Sequence, residues 1–101
     1  SMKSAQKIVD EMYSGNTECI ISNIFSSNPY LVINAIICGV RYRLNSPDFI
    51  YGIRVATSNT QRVLGYAISS VANAAMCILN DMPYRGDDRV TIELIKSNFE
   101  I

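Results

Sequence analysis

The chain contains no histidine. That absence removes the commonest general base at neutral pH, the Ser-His-Asp and Cys-His nucleophile systems, and most transition-metal sites. Charge is also scarce. Asp, Glu, Lys and Arg make up 18% of the residues, below the usual quarter, against 49% hydrophobic residues. Such a balance excludes a disordered chain and leaves apolar surface with few charges beside it. Nine basic and nine acidic side chains cancel. Nucleic-acid binding therefore has no electrostatic support, and a neutral surface favours self-association as a homodimer. Long hydrophobic runs are missing as well. The longest, 31–40, is interrupted by Asn34 and is too short to span a bilayer, so no membrane partner is expected. The polar N-terminus shows no signal peptide. Ser1 ahead of Met2 reads as a tag remnant, with Met2 the natural start of a small, whole protein. The three cysteines, Cys19, Cys38 and Cys77, are odd in number and widely spaced, which fits neither a disulfide framework nor a zinc pattern. Free thiols among apolar neighbours suit a reducing compartment, and the expected location is cytoplasmic.

A length of 101 residues suits a single domain, 1–101, with one modest core. The stretch 28–44 is its centre. Asn28 can accept a hydrogen bond from an early helical N–H and Pro29 fits the first helical position, so a helix is expected from Pro29 to about Leu44. It is apolar almost all round, which is the mark of a helix covered on several sides. Ser46-Pro47 repeats the device and starts a helix over Pro47–Ala56, with Asp48 favourable in its first turn. Upstream, Ser4 is the expected cap of a helix over Ala5–Tyr13, and Thr17 that of a helix running to about Phe25. Downstream, Asn59 or Thr60 is read as the cap of a long helix over Thr60–Leu79. Asp88 caps a closing helix over Arg89–Phe99.

The expected fold is therefore all-α, with five to six helices. Ser27-Asn28 recurs as Ser58-Asn59, each ahead of a long apolar helix and behind a short one, with a period near thirty residues. Over residues 18–79 this pattern resembles HEAT- and armadillo-type helical repeats. The resemblance implies two stacked antiparallel helical hairpins with capping helices at either end. Two architectures satisfy it, a short α-solenoid and a compact bundle.

No residue pattern points to catalysis, a cofactor or a metal. Cys38 and Cys77 lie in apolar helices, where a thiol is inert. Cys19 sits near a helix N-terminus that lowers thiol pKa, and is the one nucleophile to examine. Asp81, Asp87 and Asp88 cluster in one loop but lack calcium-loop spacing and are interrupted by Arg85 and Arg89. Gly39, Gly52 and Gly65 all fall inside expected helices, at about 1 kcal/mol each against Ala, and close helix approach is the expected compensation. The more informative signal is a polar stripe on the fifth helix, Arg62, Tyr66, Ser69, Asn73 and Asn80, with Tyr30, Asn34 and Arg41 on the third. Side by side, the two long helices would present these as one surface rich in Tyr, Arg and Asn, types suited to a protein contact. Asp87 and Asp88 form a second candidate contact. Residues 30–65 carry Arg41, Arg43, Arg54 and Arg62 against Asp48 alone, so an acidic partner is favoured. The expected function is non-enzymatic protein binding, in its sharpest form an immunity protein that neutralises a toxin. The alternatives are a subunit of a larger assembly and a helical protein holding a small ligand.

Overall fold

The computed structural model describes residues 2–84. The expected helix over Arg89–Phe99 and the pair Asp87 and Asp88 lie outside the described residues. The fold is all-α. Its elements are α1 (Met2–Tyr13), α2 (Thr17–Asn23), α3 (Pro29–Arg41), α4 (Pro47–Ala56), a short hairpin of β1 (Arg62–Val63) and β2 (Tyr66–Ala67), and α5 (Ile68–Leu79).

Local chemistry starts the middle helices. Asn28 Oδ1 accepts from the Tyr30 N–H at 3.0 Å and Pro29 opens α3. Ser46 Oγ accepts from the Phe49 N–H at 3.3 Å and Pro47 opens α4. Two expected caps move. The cap of α2 is Asn16, whose Oδ1 accepts from the Cys19 N–H at 3.1 Å, and Thr17 is the first helical residue. Ser4 lies inside α1, which already runs from Met2.

Three helices, α1, α3 and α5, end by one device. Leu44 N donates to Gly39 O at 2.9 Å and Arg43 N to Val40 O at 3.0 Å, a Schellman closure that stops α3 at Arg41, short of the expected Leu44. Met82 N to Cys77 O and Asp81 N to Ile78 O close α5 in the same way, as do Asn16 N to Glu11 O and Gly15 N to Met12 O at α1. The left-handed position of this motif favours glycine because it has no Cβ to clash. Gly15 fills it in α1, but Arg43 and Asp81 fill it in α3 and α5, with φ of 55° and 53°.

The core gathers around α3. From Leu31 to Val40 every residue except Asn34 is buried. α1, α2, α5 and β1 all pack against this helix, α4 packs on α5, and α2 also meets α4, so two helix pairs are stacked. Two glycines set the spacing. A Cβ on Gly39 would lie 2.0 Å from Cζ of Phe49, and one on Gly52 would lie 2.5 Å from Cγ2 of Ile24. Phe49 is fully buried, which at typical area costs contributes about 2–3 kcal/mol. The close approach expected of Gly39 and Gly52 is thus present.

Gly65 corrects that expectation, and with it the start of the long fifth helix. Residues 60–67 are not helical. Asn59 Oδ1 accepts from the Gln61 N–H at 3.0 Å and begins a turn where a helix cap was expected. Arg62 then pairs with Ala67 and Val63 with Tyr66. The turn residues Leu64 and Gly65 have φ of 52° and 87°, the signs a type I′ hairpin turn needs, and no helix passes through two such residues. Ile68 N to Gln61 O at 2.9 Å and Ser69 N to Asn59 O at 2.7 Å tie the hairpin to the head of α5. α5 has Ala67 as its cap position, with no side-chain hydrogen bond. Burial of Val63 against α3 holds the hairpin in place.

Candidate functional site

The hairpin rearranges the expected polar surface. With Arg62 on β1 and Tyr66 on β2, no single helical stripe joins them to Ser69 and Asn73. Arg62 is exposed and its guanidinium donates to Gly65 O across the turn. Ser69 is half-buried in the first turn of α5, and exposed Asn73 donates back to Ser69 O at 2.9 Å. Asn80 caps the end of α5 and donates to Met76 O at 2.7 Å. The Arg62, Asn73 and Asn80 side chains thus bond locally, each to a main-chain oxygen, and none of the four joins the polar residues of α3 in one stripe.

The residues expected on α3 face α1. Tyr30 Oη donates to Gln6 Oε1 at 3.0 Å. Asn34 Nδ2 donates to Tyr30 O at 2.8 Å, while its Oδ1 accepts from Tyr13 Oη at 3.4 Å. The Arg41 guanidinium lies 5.3 Å from the centre of the Tyr13 ring, a cation–π distance, and its Nε is buried without a hydrogen-bond partner.

Tyr30, Asn34 and Tyr66 nevertheless meet. Together with Tyr13 they line a cleft of about 190 Å³ between α1, α3 and the hairpin, over an apolar base that includes Ile33, Ile37 and Val63. Arg41 reaches this cleft only through Tyr13. At its edge stands Leu64, the turn residue, 84% exposed. A leucine there costs roughly 1 kcal/mol against glycine, since at positive φ its Cβ crowds the following carbonyl oxygen. Tyr13 and Leu64 are the site residues that sequence reasoning missed. The signal for Leu64 was Val63-Leu64-Gly65-Tyr66, strand formers on either side of a pair ending in glycine. Tyr13 lies four residues after Val9, on the apolar side of α1, where it reads as core and carries no separate signal.

The titratable groups here resist ionisation. Burial, with help from neighbouring Cys38, pushes the Tyr13 hydroxyl up despite the opposing charge of Arg41. Burial pushes the Cys38 thiol up to about 12. The lowered pKa expected for Cys19 is overturned: partial burial first, and then the Glu11 carboxylate, push it up, and its thiol donates to Ile8 O at 3.7 Å. The Cys19 backbone N–H at the helix start donates to Asn16 Oδ1. Among the described residues no group of three or more His, Cys, Asp or Glu side chains could hold a metal ion, and no helix is long and apolar enough to cross a membrane. The cleft thus offers phenol hydroxyls, one amide and an apolar base, a set suited to contact. Comparison of the chain with protein-family models, curated proteins and solved structures returns no match.

Proposed function

We propose that this chain is a non-enzymatic protein-binding module whose contact surface is the tyrosine-lined cleft and the hairpin tip beside it. The observation that carries this reading is Leu64: an exposed aliphatic side chain held at positive φ, next to Tyr13, Tyr30 and Tyr66. Strain and exposure together disfavour leucine unless something covers it. Tyrosine adds amphipathic contact area at low entropic cost, which is why it is enriched where proteins meet. The partner in the sharpest form of the proposal is a toxin, with the chain as its cytoplasmic immunity protein. The stacked helix pairs support a HEAT- or armadillo-like description of the scaffold, with the hairpin inserted in the second pair.

The test compares the full chain with its Leu64→Asn variant as bait in the same cell extract. Asparagine tolerates the left-handed turn position, so the variant keeps its fold. A partner held by the wild-type chain and lost by the variant supports the proposal. Retention of the same proteins by both overturns it. Protection from a neighbouring-gene toxin, lost in the same variant, would establish the immunity role.

Self-association is a second reading, favoured by a different face. Phe25 and Tyr51, both exposed, place their ring centres 6.1 Å apart, and Val55 is exposed on the same helix as Tyr51. Light scattering on a concentration series, with Tyr51→Lys as comparison, decides it.

A further inference from the structure

A second groove opens beyond the C-terminal end of α3, away from the tyrosine cleft. Its volume is about 320 Å³ and its lining includes Arg43, Leu44, Ile50, Arg54, Met76 and Leu79. The four apolar side chains are each half-buried: packed on the core from below and open to the groove above. Arg43 and Arg54 are exposed. Among the described residues neither guanidinium has a hydrogen-bond or ion-pair partner and no carboxylate lines the groove. Arg43 also holds the left-handed position of the α3 closure, where glycine would be free of strain. An arginine is thus kept at a costly backbone position, beside an apolar trough, with its charge unanswered.

We propose that this groove docks an acidic amphipathic segment of a partner protein, with aliphatic side chains in the trough and carboxylates on Arg43 and Arg54. Charge complementarity selects this occupant. Two unpaired guanidinium groups beside apolar side chains reward carboxylates next to leucine-like groups, and they repel basic segments. The site stands apart from the tyrosine cleft and does not depend on it.

The probe is a fluorescein-labelled, sixteen-residue synthetic peptide with leucine and glutamate at helical spacing. It is titrated into the full chain and followed by anisotropy. A counterpart peptide carries glutamine for every glutamate. The expected results are binding of the acidic peptide, about tenfold weaker binding of the glutamine peptide, and a similar loss in the Arg43→Glu, Arg54→Glu double variant. Lys7→Glu, which changes net charge away from the groove, leaves binding unchanged. Arg43→Gly guards against misfolding, since it relieves the backbone and is expected to weaken the peptide while the chain melts no earlier than wild type. Equal binding of both peptides, no binding of either, or indifference to the arginine variants overturns the proposal. So does a change of oligomeric state in the double variant without peptide, which would make a second copy the occupant. Shifted amide signals at residues 85–101 in that variant would make the chain's own C-terminal segment the occupant, and overturn it equally.

Discussion

α3 and α5 are the two long apolar helices of this chain, and they begin in opposite ways. α3 is started by its neighbours in sequence: Asn28 caps it and Pro29 fixes the first backbone angle. α5 is started by its neighbours in space: a hairpin folds back, Val63 buries against α3, and the helix leaves Ala67 with no side-chain cap. The consequence is energetic as well as descriptive. α3 carries its own start signal, whereas the start of α5 depends on the body it packs against.

The comparison can be broken most forcefully at the contact that fixes α3. Gly39→Ala places a methyl group 2.0 Å from the buried Phe49 ring, and a loss of about 3 kcal/mol is expected in urea unfolding. Gly52→Ala, which meets the side chain of Ile24, should cost less. Alkaline pH comes next. The Cys38 thiol titrates near 12 when folded, against 9.0 ordinarily. The unfolded chain therefore releases this proton first. The associated stability is complete below a pH of about 9 and falls as pH rises toward 12, by about 2 kcal/mol at a pH of about 10.5. Urea midpoints measured across this range should show a steeper decline in the wild type than in Cys38→Ala.

The helix starts supply the finer tests. Asn28→Ala removes the cap of α3 and should cost about 1 kcal/mol. Ala67→Ser supplies the cap that α5 lacks and should stabilise by roughly 0.5 kcal/mol, a gain of opposite sign read in the same denaturation assay. If both substitutions destabilise equally, the hairpin register outweighs capping at Ala67 and the contrast between the helices is smaller than described.

The same contrast explains which parts of the fold could be read in advance. Asn28-Pro29 and Ser46-Pro47 are complete local instructions, and both helices begin where those residues place them. Gly39 and Gly52 were legible as close approaches because glycine inside an apolar helix needs compensation from a neighbour. The hairpin was not. Arg62, Tyr66, Ser69 and Asn73 fall at helical spacing by coincidence, and the two-residue strands are too short for a period-two pattern to compete. Half of the candidate site followed from that error. Tyr30, Asn34 and Tyr66 were found, but on the premise of two parallel stripes. Leu64 falls inside the helix expected over Thr60–Leu79 and stands instead at an exposed tip. The early end of α3 was hidden for a related reason: Arg43 occupies a position where glycine would have announced the stop.

The contact between Gly39 and Phe49 has a consequence for how this sequence can vary. The ring fills the volume that any side chain at position 39 would need, so neither position is free to drift alone. Enlarging the first clashes, and shrinking the second leaves a hole. Gly39→Ala combined with Phe49→Leu should therefore be tolerated better than the sum of the two changes, a positive coupling that a double-mutant cycle would measure. In a set of diverged descendants, these two positions would be expected to change in the same lineages or not at all.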